Sequence, residues 1–420
     1  MSEHKPQNEA AASNTSARGF LWNTIGTGLL SLSSIFLLMA VTNIMGAVEA
    51  GIFSIGFAFA QQLYALANYE MDTYQATDIS NKYRYAQFNG ARLFLLIVSL
   101  IAAAGIVLLR GYDGYKVSVV LLLCAYKCAD AMSRTFYAIL QKNERIDLSG
   151  KILAIKIVVS SAAFAVCLAT TRNMIISLTA LLVSYLALML LYEARISAQY
   201  ERFSVCVDKK SMALLAECFS LFAGAFILIY ICNQPKYVID AAGSEEMNTI
   251  YNIVVMPAFA VNLLSQSLFK PMLTGLSRMW KDGEKARFRK RVIGITLFIA
   301  FCTLFCIGAG WLLGTQVLSW LYGVSVVEYK SELSLLLLTG GFNAVANFAF
   351  NVIAVFRGQK VILPIYLCGL VISLLIAKPL FQAMGLLGAC YAYLIPIAVI
   401  AIILLVHIIW KCRPAQGNKS

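Results

Sequence analysis

Three charged residues share one side of a stretch that is otherwise apolar. Lys127, Asp130 and Arg134 lie inside residues 116–140, and their spacing places them on one face of a helix. Lys127 lies near the middle of that stretch. A charge at the middle of an apolar helix in lipid costs at least about 2.5–3.5 kcal/mol, so these side chains are expected to face a wet cavity or a partner.

The cations of this region predict a site for an anionic head group. Lys156 follows in the next apolar stretch, and we expect it to act with Lys127 and Arg134. Arginine gives two-pronged contacts to phosphate, and lysine gives a compact point charge. An alternative is that Asp130 pairs with both of its neighbours and holds helices together, while Lys156 extends to the interface. Asp130 is also the candidate for coupling to an ion or proton, because such a cycle needs a buried carboxylate.

Uncharged amides form a second set of candidates. Asn343, Asn347 and Asn351 recur every four residues, so they form a stripe along one face of a later helix. Other amides in apolar stretches are Asn252, Asn262, Gln266 and Asn23. We expect these side chains to bind sugar hydroxyls, although amides can equally join two membrane helices by hydrogen bonds.

No residue pattern predicts catalysis, a metal or a cofactor. The chain has only two histidines, His4 and His407, and it has no HExxH, phosphate-binding-loop or paired-carboxylate motif. Its eleven cysteines are scattered, mostly inside apolar stretches, and no spacing among them is typical of a metal site. The sequence therefore does not predict an enzyme.

The composition predicts the elements that must position these residues. Sixty per cent of the 420 residues are apolar, 13% are charged, and the mean hydropathy is +0.76. A soluble chain carries about 25% charged residues. Apolar runs long enough for a helix to cross the hydrocarbon core, about 20 residues, recur throughout. The twelve predicted spans are 20–43, 51–69, 91–110, 116–140, 150–170, 173–193, 213–234, 247–270, 292–313, 331–357, 360–380 and 385–410.

The cations outside the spans predict the orientation. Connections on one side, together with both terminal segments, carry twenty-five Lys and Arg residues, whereas those on the other side carry six. Because connections rich in Lys and Arg stay in the cytoplasm, both termini are predicted to be cytoplasmic. The basic run at 278–291 is expected to lie on anionic lipid, or alternatively to dock a partner or an anionic head group.

The sequence also divides into two similar halves. AGIFSIGFAFA at 50–60 and NTIYNIVVMPAFA at 248–260 open the second span of each half. Since each half has six spans, both have the same orientation, and transporters built in this way bind substrate between the halves. The expected fold is all-α and integral to the membrane, with twelve transmembrane helices in two six-helix parallel-repeat bundles around a central cavity. The predicted divisions are a disordered cytoplasmic tail at 1–17, the N-terminal bundle at 18–193, a cytoplasmic linker at 194–212, the C-terminal bundle at 213–410 and a cytoplasmic tail at 411–420.

Four sequence segments follow one another along the chain: RGFLWNTIGTGLLSL, NIMGAVEAGIFSIGFAFA, MNTIYNIVV and LFQAMGLLGACYAYLI. With these segments and its twelve spans, the chain resembles the polysaccharide and O-antigen flippases of the multidrug/oligosaccharidyl-lipid/polysaccharide exporter superfamily. The resemblance implies an alternating-access flippase in the plasma (inner) membrane. It would move a polyprenyl-diphosphate-linked oligosaccharide, a repeat unit of surface polysaccharide such as O-antigen or capsule, from the cytoplasmic to the outer leaflet.

Other functions remain open at this stage. A cation-coupled multidrug antiporter of the same superfamily would favour carboxylates in its cavity, whereas one aspartate here faces three deep cations. A membrane-embedded polysaccharide polymerase or glycosyltransferase usually has a large external loop with catalytic residues, and the predicted external loops are short. The expected partners are membrane lipid, the lipid-linked oligosaccharide and polysaccharide-assembly proteins. Nucleic acid is not expected, because the net charge of +13 is confined to short segments between spans.

Overall fold

The part of the chain that the computed structural model describes is helical and contains no strand. It comprises residues 6–72, 75, 82–143, 145–269, 272–355 and 361–412, with the side chains of 6–18, 20, 260, 262–264, 266–269, 273, 274, 277, 354 and 355 left out. The helices are α1 (Pro6–Met45), α2 (Ala47–Asn68), α3 (Tyr85–Arg110), α4 (Gly114–Lys142), α5 (Ile146–Thr171), α6 (Met174–Ser197), α7 (Lys209–Ala242), α8 (Glu245–Phe269), α9 (Leu273–Lys281), α10 (Lys285–Tyr322), α11 (Lys330–Val355) and α12 (Ile362–Lys411).

Most of these helices suit a membrane. Among the described residues, nine helices are long and apolar enough to cross one: α1 from Leu21, α2, α3, α5, α6, α7, α10, α11 and α12. α4 is not among them because its charged residues interrupt its apolar sequence. Large apolar side chains also lie exposed on the outside, such as Leu109, Phe301 and Trp320 at 90%, 67% and 83% exposure. Apolar surface on this scale requires lipid as its solvent, so the chain is a multi-pass membrane protein.

α12 contains two predicted spans joined by a sharp reversal. Its backbone is non-helical at Gly385, with φ 57° and ψ −132°, a left-handed φ that glycine adopts without steric cost. A Cβ on Gly369 would touch the side chain of Ile400, thirty-one residues later, so the two arms lie against each other. The twelve predicted spans therefore correspond to α1–α8, α10, α11 and the two arms of α12, and the predicted all-helical fold in two bundles is confirmed. α9 is an additional short helix.

Small residues allow several helices to approach closely. A Cβ on Gly26 of α1 would lie 2.6 Å from the carbonyl oxygen of Gly150 on α5. A Cβ on Gly340 of α11 would likewise lie 2.7 Å from the carbonyl oxygen of Ala258 on α8. Contacts of this kind drive helix association in lipid, where burial of apolar surface supplies no net force. In each half, the second span packs along the fourth, α2 on α4 and α8 on α11.

By their internal contacts, residues Met1–Phe226 and Ile227–Ser420 form two compact units. The first part of α7 packs in the first unit: Leu214 and Cys218 join a buried cluster with Tyr69 and Phe88. The change between units therefore falls inside α7, after the predicted linker at 194–212. α1 begins at Pro6, inside the segment predicted as a tail. The predicted limits of bundles, linker and tails otherwise remain predictions.

Candidate functional site

The charged face of α4 forms the centre of a buried cluster in the first unit. The Asp130 carboxylate lies between two cations, with Oδ2 3.3 Å from Lys127 Nζ and Oδ1 4.0 Å from Arg134 Nε. Tyr185 of α6 donates its hydroxyl hydrogen to Asp130 Oδ1 at 2.8 Å. Asp130 is therefore enclosed, with a side chain 2% exposed, whereas Lys127 and Arg134 keep 12% and 19% of theirs exposed.

Aromatic rings surround Lys127 and Arg134, the two half-buried cations. Lys127 Nζ lies 5.3–5.5 Å from the ring centroids of Phe57, Tyr64 and Tyr126. The Arg134 guanidinium lies 6.0 Å from Tyr64 and 5.7 Å from the ring of Tyr137. Ring faces attract cations and hold them without neutralising their charge. These rings thus fix the two side chains while leaving their net charge available to an anion.

Lys156 has a different environment from the one the sequence predicts. Its Nζ lies 2.7 Å from Glu193 Oε2 on α6 and also donates to the Ser133 hydroxyl. Ser133 in turn lies 2.9 Å from both carboxylate oxygens of Glu193. The side chains of Lys156 and Glu193 are 1% and 0% exposed. Lys156 therefore belongs to a closed ion pair rather than to an open surface, and it does not extend to the interface.

Glu193 is a residue that the sequence analysis missed. It is the last residue of the sixth predicted span, and the sequence singles out Asp130 alone as the candidate buried carboxylate. The structure places a π-helical turn at Met189–Glu193, and Glu193 is completely buried. π-turns inside α-helices are frequent at functional sites. Glu193 is therefore a second buried carboxylate beside Asp130, because this turn and the helix that continues to Ser197 keep it inside the first unit.

Arg92 is the second missed residue. Its position at the start of the third predicted span places it among the cations of the preceding connection, yet it lies in the first turns of α3 and is 0% exposed. Its Nη1 donates to the Ala131 carbonyl at 2.7 Å, beside Asp130, while Nε and Nη2 have no hydrogen-bond partner among the described residues. With Arg92 the cluster holds four cations and two carboxylates, and Asp72 lies close enough for its charge to act on both Arg92 and Arg134, so the formal charge is +1 if all are ionised. An anion is the ligand that such a cluster favours.

The amide stripe of α11 lies in the second unit. Asn347 Nδ2 donates to the Asn343 carbonyl at 3.0 Å, and Asn351 Nδ2 donates to the Asn347 carbonyl at 2.7 Å. On α8, Asn252 is buried and donates in the same way to the Asn248 carbonyl at 2.8 Å. These bonds run within one helix, so they do not themselves tie two helices together.

The other predicted amides are only partly described. Asn23 lies on α1 at the contact with α5, where its backbone nitrogen would be 2.5 Å from a Cβ on Gly150. The side chains of Asn262 and Gln266 lie outside the described residues. Within the described part, no group of three or more His, Cys, Asp or Glu residues could hold a metal ion.

Comparison with known proteins extends these observations. No model of a known protein family matches the chain. The capsular polysaccharide biosynthesis protein CapF of Staphylococcus aureus is 21% identical over 385 residues, which cover 88% of this chain and 93% of CapF. An inward-facing multidrug resistance MATE family transporter of the MOP superfamily superposes with a TM-score of 0.65 at 12% identity, covering 93% of this chain and 94% of that one.

A third relative is a MOP superfamily transporter from Pyrococcus furiosus, described as having a binding pocket of reverse polarity that suggests a different function. It has a TM-score of 0.54 and 12% identity, and the match covers 94% of this chain and 95% of that one. All three matches extend over nearly the whole chain. The resemblance drawn from the sequence is therefore confirmed, and the chain has the two-bundle helical fold of the transporters of the multidrug/oligosaccharidyl-lipid/polysaccharide exporter superfamily.

Proposed function

We propose that the protein is an alternating-access flippase for a polyprenyl-diphosphate-linked oligosaccharide, a repeat unit of a surface polysaccharide. It moves this lipid from the cytoplasmic to the outer leaflet of the plasma membrane. Both termini lie in the cytoplasm, because the connections on their side carry most of the Lys and Arg residues. Membrane lipid, the lipid-linked substrate and polysaccharide-assembly proteins are its partners.

The buried positive charge of the first unit is the observation that carries this proposal. Three carboxylates, Asp130, Glu193 and Asp72, compensate three of the four cations. Lys127 and Arg134 are the two cations that keep exposed surface. A diphosphate offers several oxygens to which a guanidinium and an ammonium can both bind. In a site with little water, a like charge on a drug cation would be repelled rather than bound.

Two of the similar proteins support a flippase for an anionic substrate. The curated name of CapF links it to capsular polysaccharide biosynthesis. The P. furiosus transporter is described by a binding pocket of reverse polarity that suggests a different function, so this fold is not restricted to one kind of pocket. The amides of α11 supply neutral donors and acceptors of the type that sugar hydroxyls bind.

A cation-coupled multidrug antiporter is the second candidate. The inward-facing MATE transporter shares the fold, and two buried carboxylates, Asp130 and Glu193, are available for coupling to a cation. Both carboxylates are, however, already paired with cations of this chain. The flippase therefore accounts for the charge balance better than the antiporter does.

The first experiment measures which lipid-linked saccharide accumulates, and on which leaflet, in cells depleted of the protein. A complete repeat unit that builds up on the cytoplasmic leaflet would support the flippase and identify its substrate. Normal delivery to the outer leaflet, in a strain shown to have no second flippase, would refute it and favour the antiporter.

Variants of the cluster then test the site itself. In depleted cells, Lys127→Gln/Arg134→Gln is expected to restore less than a tenth of the export per molecule that reaches the membrane. The matched control is Lys142→Gln/Lys151→Gln, which removes a half-buried cation at the end of α4 and an exposed cation near the start of α5. Full export by the cluster variant, or equal losses in both variants, would exclude Lys127 and Arg134 as the anion site.

A further inference from the structure

A pocket of about 690 Å³ lies in the second unit, between α10 and the residues Ser265, Met272 and Met279. Its volume is within the range of small-molecule sites, about 300–1,000 Å³. Its charged lining comes from Arg287, Lys290 and Arg291 in the first turns of α10. Its apolar lining comes from the same face of α10 further along, at Ile295, Phe298 and Ile299, together with Met279 of α9.

The two kinds of lining are separated along the helix axis. The basic residues occupy the end of α10 at the predicted cytoplasmic side, and the lining continues through Gly294 to Cys302. From Arg291 to Cys302 the helix rises about 16 Å, roughly half of the hydrocarbon thickness of about 30 Å. A lining of this length matches the depth of one leaflet, and the predicted orientation puts its positive charge at the level of the lipid phosphates.

The surroundings show what can enter. The neighbouring face of α10 carries exposed apolar side chains, Leu297 at 65% and Phe301 at 67%, so the pocket adjoins surface that faces acyl chains. Arg287 pairs with Glu284 at 2.8 Å, whereas no ion pair to a described residue involves Lys290 or Arg291. An occupant with a negative head and an apolar tail complements both parts of the lining.

We propose that this pocket binds one anionic phospholipid of the cytoplasmic leaflet, with its phosphate at Arg287, Lys290 and Arg291 and an acyl chain along Ile295, Phe298 and Ile299. A soluble acidic protein or nucleic acid would leave the apolar part unfilled. The site lies in the second unit, outside the charged cluster of the first, and it does not depend on which substrate is transported.

The chain offers matched controls for each part of the site. Lys285 and Arg289 lie on another face of the same helix end, close enough to Cys412 for their charges to act on its thiol. Gly294 lines the pocket, and a Cβ there would meet nothing within 4 Å. Gly308 has the same open space on α10 but is not among the lining residues. Gly294→Phe should therefore fill the pocket, and Gly308→Phe should not.

Native mass spectrometry of the purified full chain, titrated with phosphatidylglycerol or phosphatidylcholine, measures this binding. The wild type is expected to retain one phosphatidylglycerol selectively. Each cation near an anionic head group contributes about fivefold, so Arg287→Gln/Lys290→Gln/Arg291→Gln should weaken that binding by on the order of a hundredfold. Lys285→Gln/Arg289→Gln should retain it. Gly294→Phe should abolish it, and Gly308→Phe should not.

Three results would overturn the proposal. Equal retention of both lipids by the wild type would exclude an anionic head group. Equal losses in the two charge variants would indicate general attraction to the basic surface. Undiminished binding in Gly294→Phe would show that the lipid lies elsewhere. Each result is independent of export of the oligosaccharide, so the proposed flippase activity stands or falls separately.

Discussion

The buried pair of Lys156 and Glu193 allows a quantitative test of how the first unit is stabilised. The pair has a separation of 2.7 Å and almost no exposed surface. Removing one member leaves the other charge buried and uncompensated, which costs about 3–5 kcal/mol, whereas removing both is often close to neutral. We therefore expect Lys156→Met and Glu193→Gln each to destabilise the protein strongly, and the double variant to recover most of the loss. The side-chain amide that Glu193→Gln introduces keeps a carbonyl oxygen, which can still accept the hydrogen bond from Ser133.

The assay is the unfolding midpoint of the purified protein in detergent. For a folded unit of this size, 1 kcal/mol corresponds to about 2–4 °C, so each single variant should lose roughly 6–20 °C. The matched control is Lys151→Met, an exposed position on the same helix, which should change the midpoint little.

The double-mutant cycle decides the outcome. A double variant whose loss equals the sum of the two single losses would show no coupling between the side chains. That result would refute the conclusion that Lys156 serves the fold and would return it to the set of residues available to substrate. A double variant that is stable but cannot export would instead indicate that the pair also takes part in the transport cycle.

Three further predictions concern other elements. Gly150→Ala should destabilise the protein by about 1–3 kcal/mol, because its Cβ would contact the backbone of Trp22. Gly28→Ala, which has open space around it, should be neutral or slightly stabilising, and thermal unfolding of both variants tests the difference. Asp208 accepts hydrogen bonds from the Ser211 amide and from Gln87, which hold the pKa of its carboxyl below its usual value of about 3.9. The stability that the ionised Asp208 carboxyl contributes is fully present above its ordinary pKa and is lost as the pH falls through the lowered pKa. The thermal unfolding midpoint of the wild type should therefore fall more steeply below about pH 4 than that of Asp208→Asn. Parallel curves of midpoint against pH would exclude the effect. Asn351→Ala removes a hydrogen bond within its own helix and should lower the stability by only about 0.5–1.5 kcal/mol. Export of the saccharide should fall at least tenfold if the amide stripe binds sugar, and unchanged export would remove Asn351 from the site.

The helices and the centre of the charged cluster follow from the sequence for a simple physical reason. A transmembrane span is predicted from the length of an apolar run alone. The sequence predicts α4 as a span because its charged residues share one face of the helix and do not end the apolar run. The same spacing gave Asp130 two cations as neighbours, which the structure confirms. The reversal at Gly385 also falls where the sequence separates two spans, although no polar loop marks it.

Glu193 and Arg92 could not be found in the same way. Both lie near the predicted ends of spans, where a charged side chain is ordinarily solvated and carries no signal. Their burial depends on how far α6 and α3 continue and on a π-turn that rotates Glu193 relative to the rest of its helix. A pattern with a fixed period cannot reveal such a rotation. The sequence consequently does not reveal the partner of Lys156, and only its depth in the span makes it a candidate for the anion site.

The reversal in α12 also has a consequence for biosynthesis. Because the two arms meet directly at Gly385, without a connecting loop, neither presents a polar segment that could stop or start translocation separately. A Cβ on Gly388 would touch the Leu380 carbonyl, so the arms are in contact from their first turns. We expect them to enter the membrane as one preassembled hairpin, which makes the last arm dependent on the preceding one for its integration.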